Sequence, residues 1–207
     1  MMRVLHLCSL LAIGAAAPAS AGALAVRIVD AAGHPVSNAV VTVRPATGAR
    51  PMRLGRTYAV TQQDLEFHPF VLVVPQGATV SFPNLDRTKH HVYSFSPAKR
   101  FELKLFARDQ SRSVKFDKPG VVALGCNIHD SMSAFIVVAD STWTAATDAK
   151  GLVRFPDLPE GVATMMVWHP YLRAPGNQIE RRLAPGASAE TVPVKLRPAP
   201  IHNMGGY

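Results

Sequence analysis

Residues 120–138 read GVVALGCNIHDSMSAFIVV. Apolar residues run from Val121 to Leu124 and again from Ala134 to Val138, with a compact polar segment between them, so the stretch predicts strand, tight loop, strand. The loop carries Cys126, His129 and Met132 at C-x2-H-x2-M spacing. A thiolate, an imidazole and a thioether thus share one short connection. Any fold for this chain has to hold that loop between two strands and bring other donors up to it.

A second imidazole would complete a His2Cys trigonal set with a weak axial Met, the ligand pattern of a type 1 copper site. Upstream, NLDRTKHHVYSF offers His90 or His91. Neighbouring side chains on a strand point to opposite faces, so only one of the two can face the loop. Taken singly, a Cys after an apolar strand or a Met beside one is ordinary core material. Taken together, the loop spacing and the strand histidine point to a metal site. His68, in FHP, reads as a surface residue or a further ligand. His169, in VWHP, reads as a turn or packing residue. His202 and Met204 lie in a Pro/Gly-broken tail. The sequence has no paired-carboxylate motif, phosphate loop or H-E-x-x-H zinc signature.

The first residues read as a leader rather than as fold. Arg3 precedes an apolar stretch from Leu7 to Ala17, followed by Ala19-Ser20-Ala21, an A-x-A cleavage signal. The expectation is a leader over 1–21, a mature chain beginning at Gly22 and a periplasmic address. The apolar stretch is too short to span a bilayer, and no membrane span is expected in the mature chain. With Cys8 removed, Cys126 is left as the single mature thiol, which no internal disulfide can absorb. A two-copper centre needing two cysteines is excluded on the same count. The formal charge is +8, but the basic residues are scattered without aromatic interleaving, so no nucleic-acid partner is expected. A basic surface suits an acidic protein partner.

Along the chain, 17 prolines and 14 glycines punctuate short alternating runs, and no long amphipathic helix is evident. An all-β chain follows. Leu24, Val26 and Ile28 alternate, a turn follows at Asp30, Gly33 and Pro35, and alternation resumes from Ala39 to Val43. This opening resembles the transthyretin-like or carboxypeptidase-regulatory β-sandwich. So does the later stretch with Thr147, Asp148, Gly151, Leu158, Pro159 and Gly161. Residues 46–57 read as a linker or exposed loop. The expected division is a leader at 1–21, then first strands of a regulatory-like sandwich with linker at 22–57. A metal-binding domain follows at 58–140, the rest of the small sandwich at 141–197, and a disordered tail at 198–207. The small sandwich is then split by an insertion; tandem domains are the alternative.

Residues 58–140 resemble the cupredoxins, the small blue copper proteins of the amicyanin and plastocyanin kind. The resemblance rests on GCNIHDSM and on the pattern N-x-x-x-x-x-H-N-V, matched by Asn84, His90 and Val92. It implies a Greek-key β-sandwich holding one type 1 copper ion. It assigns His90, Cys126, His129 and Met132 as ligands, with His91 the second choice for the first imidazole. His91 stands where many cupredoxins carry the Asn that bonds to the residue after the Cys, here Asn127. More closely, FPNLDRTKHHVYSFSPAKRFELKLF, FDKPGVVALGCNIHD and VWHP are similar to exported bacterial cupredoxin-like proteins labelled methylamine utilization protein.

The function implied is single-electron transfer between redox partner proteins, without enzymatic turnover, with His129 as the electron port. Other classes remain in view. One is a copper carrier or sensor. Another is a thiol enzyme using Cys126 and His129, which leaves Met132 without a role. The last is a metal-free structural or carbohydrate-binding sandwich.

Overall fold

A computed structural model describes residues 21–55 and 57–199. The expected leader up to Ser20, and the tail from Pro200 with His202 and Met204, lie outside the described residues. The chain is all-β, as the alternation predicts: a larger sandwich and a second, smaller one. Among the described residues, no helix is long and apolar enough to cross a membrane.

Ala21–Val29 pairs antiparallel with Leu152–Pro159 and parallel with Ala189–Pro193. Val40–Pro45 lies between Thr144–Ala146 and Ala163–Trp168, and Gln178–Leu183 forms the far edge. Strands on either side of the central segment are thus hydrogen-bonded to each other. Leu24, Val26, Ile28, Val41, Val43, Phe155, Met165 and Val167 fill the space between these two sheets. The alternation seen in the sequence is the alternation of these inward positions. Gly151 is dictated by space as well as by its φ of +67: a Cβ there would lie 2.5 Å from the carbonyl oxygen of Ile28. The last strand ends at Pro193, and Leu196 beyond it forms only an isolated bridge with Leu172.

The larger sandwich has a five-stranded sheet in the order Val71–Pro75, Ser133–Ala139, Gly120–Cys126, His90–Ser96, Lys99–Phe106. A three-stranded sheet of Ser111–Phe116, Ala78–Pro83 and Tyr58–Ala59 faces it. Val80, Phe82, Val92, Phe106, Phe116, Val122, Leu124 and Ile136 form the core between them. A third apolar cluster, with Val40, Val71, Val137 and Trp168 buried and Phe70 and Phe135 packed against them, joins the two sandwiches. Trp168 meets Phe135 edge-on at 5.5 Å between ring centroids. The strands Gly120–Cys126 and Ser133–Ala139 pair through Gly125↔Ser133. The connecting loop is therefore held at one end of the larger sandwich.

Candidate metal centre

Cys126 closes its strand and pairs with Val92, so the strand His90–Ser96 delivers its first residue beside the sulfur. Cys126 Sγ lies 3.8 Å from His90 Nδ1 and 3.8 Å from His129 Nδ1. The three donor atoms all fall within 4.8 Å of one another. Typical metal–ligand lengths of about 2.3 Å to sulfur and 2.0 Å to imidazole, in trigonal geometry, place sulfur and nitrogen roughly 3.7 Å apart. The donor set therefore fits a single metal ion. A soft thiolate with two imidazoles selects a soft or borderline metal such as copper.

Met132 is buried in the same core as Cys126, and its N–H donates to the His129 carbonyl at 3.0 Å. That turn keeps the thioether on the loop that carries the other two donors. His90 is wholly buried, whereas His129 is only partly so, next to exposed Ile128. The two imidazole rings approach to 5.1 Å between centroids. One ring is thus sealed in the core and the other reaches toward solvent.

The choice between His90 and His91 is made by strand alternation. His91 points to the opposite face, where its Nε2 lies 2.8 Å from Glu102 and its ring packs 5.8 Å from Tyr93. Its Nδ1 is buried without a partner. His91 and Asn127 line the same shallow hollow with Tyr93, Phe95 and Glu102. The hydrogen bond His91 makes there is to Glu102. Tyr93 lies flat against Gly125: a Cβ on that glycine would sit 2.8 Å from the phenol ring.

Among the described residues, the other histidines are not part of the donor cluster. His68 is half-exposed, with its Nε2 3.7 Å from Glu66. His169 is buried in the small sandwich, where its Nδ1 accepts the Tyr171 N–H at 3.2 Å. Burial pushes its imidazole below the ordinary range.

One residue of the site escaped the sequence reading. Asp86 Oδ2 lies 2.7 Å from His90 Nε2. The same carboxylate accepts the backbone N–H groups of Asp64 at 2.7 Å and Leu65 at 3.1 Å. These two residues form the turn of the hairpin Thr61–Gln63/Glu66–His68, at φ of 57 and 59. A primed turn of this kind favours glycine, and a bulky residue such as Leu65 in it costs on the order of 1 kcal/mol. The Asp86 carboxylate offsets that cost. Asn84, fully buried, fixes Asp86 in turn: its Oδ1 accepts the Asp86 N–H, and its Nδ2 donates to Thr88 and Phe106 carbonyls. The signal legible in N-L-D-R-T-K-H was an Asx turn followed by an acid four residues before the histidine.

The local field favours the thiolate form of Cys126. Burial pushes the Cys126 thiol up, but hydrogen bonds from the His90 ring, the His91 and Ile128 backbone and the His129 ring outweigh it and bring it down to about 6. Burial pushes His90 down, yet its bonds to Cys126 and Asp86 leave it raised. For Asp86, burial is likewise outweighed by the bonds to His90, Leu65 and Asp64, and its carboxyl is lowered.

No family model and no curated protein matches the chain. Several solved structures are similar to parts of it. A Cu-containing nitrite reductase from Thermus scotoductus SA-01 aligns at 24% identity over 44% of this chain and 25% of that one, with a TM-score of 0.39. The chain thus spans about a quarter of that enzyme's length. A purple cupredoxin from Nitrosopumilus maritimus aligns at 19% identity over 40% of this chain and 99% of its own, with a TM-score of 0.36. A reduced Cu(I) amicyanin variant aligns at 20% identity over 48% of this chain and 98% of its own, with a TM-score of 0.38. At these identities and TM-scores the likenesses add nothing to the chemistry, which rests on the side chains themselves.

Proposed function

We propose that this protein is a single-electron carrier that holds one copper ion between His90, Cys126 and His129, with Met132 as a weak axial ligand. The observation that carries the reading is the convergence of one thiolate and two imidazole Nδ1 atoms at spacings that fit a trigonal ion. Bound there, copper supplies a one-electron couple stabilised by thiolate in both oxidation states. The chain supplies everything else. Strands on both sides of Cys126 hold the donors, so little reorganisation accompanies a change of charge. Burial of His90 excludes water from the inner side. The partly exposed His129 ring provides the contact through which an electron reaches a partner.

The carrier acts in the periplasm after loss of the leader 1–21, and it exchanges electrons with redox proteins whose acidic surfaces complement its basic one. Residues 58–140 form the copper domain, inserted between residues 22–57 and 141–197 of a regulatory-like sandwich that serves as scaffold or docking module. Likeness to exported cupredoxin-like proteins labelled methylamine utilization protein supports the same role. It is a carrier rather than an enzyme, since the donor set engages all three reactive side chains and leaves none as a free nucleophile. The test is voltammetry of the copper-loaded protein. A single reversible one-electron wave, with electron exchange slowed by salt toward an acidic redox protein, is the expected result. Copper released on reduction would instead establish the copper-carrier alternative.

A further inference from the structure

We infer that Asp86 is a positioning residue for the first imidazole, fixing which nitrogen of His90 faces the metal and tying that nitrogen to the hairpin 61–68. The inference rests on the reading of His90, Cys126 and His129 as a metal site. Three donors converge on the two Asp86 oxygens. Asp64 N–H approaches Oδ1, while Leu65 N–H and His90 Nε2 approach Oδ2. Both backbone groups are donors by necessity. A carboxylate has only acceptors to offer, so the His90 proton sits on Nε2. Its Nδ1, 3.8 Å from Cys126 Sγ, is then the nitrogen directed at the cluster. His90 is fully buried, so no water replaces Asp86 as the acceptor.

The carboxylate does more than orient. A ligand imidazole whose far N–H is held by an anion is a more basic ligand, and it favours the more highly charged metal state. Asp86 therefore lowers the reduction potential of the centre. Asparagine at 86 has one acceptor oxygen and one amide donor for the same three N–H groups. With its amide at the Oδ1 position the bond from Asp64 N–H is lost; with its amide at the Oδ2 position the bonds from Leu65 N–H and His90 Nε2 are both lost.

The test compares wild type, Asp86→Asn and Asp86→Glu. In the metal-free protein, nitrogen–proton NMR follows the His90 ring. Wild type is expected to show a slowly exchanging Nε2 proton, which Asp86→Asn shifts or loses and Asp86→Glu restores. Copper competition is expected to show Cu(II) affinity falling roughly 10–100-fold in Asp86→Asn. Cu(I) affinity falls less, and the potential rises by about 59 mV for each tenfold of difference. A folded Asp86→Asn protein with unchanged His90 signals and unchanged potential overturns the inference. So does a wild-type His90 ring lacking the Nε2 proton, which needs no variant to observe. A wild type that binds no copper while keeping the Nε2 proton would sink the copper reading and leave the Asp86–His90 bond standing.

Discussion

The sulfur of Cys126 lies 3.8 Å from Nδ1 of His90, although 36 positions separate them along the chain. The strand pairing Cys126↔Val92 creates that approach, and Asp86 turns the ring so that Nδ1 makes it. Donors, strands and carboxylate thus form one connected unit.

If alternation decides which histidine binds, the two neighbours should differ sharply on substitution. His90→Ala should abolish stable copper binding, since it removes a donor and leaves a buried void. His91→Ala should keep the copper spectrum and lose roughly 1–2 kcal/mol of stability through its contacts with Glu102 and Tyr93. Copper titration and urea unfolding of the two variants check this.

Tyr93 and Gly125 should be coupled. The missing Cβ at Gly125 is what lets the phenol ring lie on the strand that ends in Cys126. Gly125→Ala is expected to cost about 1–3 kcal/mol through overpacking. Much of that cost should vanish when Tyr93 is also replaced by Ala, a non-additivity that a double-mutant cycle in urea measures.

Trp168 should act on stability and leave the metal chemistry alone. It packs edge-on against Phe135 in the cluster that joins the sandwiches, on the face of the sheet opposite the core that holds Cys126 and Met132. Trp168→Ala is expected to cost about 3–5 kcal/mol. The copper absorption of the folded fraction should stay the same.

Acid should weaken the site. The folded Cys126 thiol is lowered to about 6 from its ordinary value of 9.0. A lowered acid contributes stability that is complete above the unfolded value, near 9, and is lost as pH falls through about 6. His90 is raised, so its contribution is complete below the ordinary imidazole value and is lost as pH rises through the higher folded one. Thiolate absorbance of the metal-free protein should titrate near pH 6 and move back toward the ordinary thiol range in His90→Ala. Metal uptake should fall over the same acid range, as protons compete for the sulfur.

The ligand loop was the most legible part of the sequence, because C-x2-H-x2-M places its donors through local spacing alone. Strands at 24–28, 39–43 and 120–138 were legible for the same reason: alternation is local. What the sequence left open was set by distant pairing. His90 and His91 could be separated only once Cys126 was seen to pair with Val92. Whether residues before 46 pair with those after 140 is likewise a matter of which edges meet. Asp86 was missed because its task is defined by a hairpin turn 21 and 22 residues away in sequence, whose non-glycine residues gave no sign of their positive φ.

The central claim is that Cys126 binds copper as a thiolate beside two imidazoles. It is tested most directly by the visible absorption spectrum of the copper-loaded protein, with and without Cys126→Ser. An intense thiolate-to-copper band that disappears on reduction and in Cys126→Ser is the predicted result. A wild-type protein that takes up copper without that band, or a band that survives in Cys126→Ser, would contradict it.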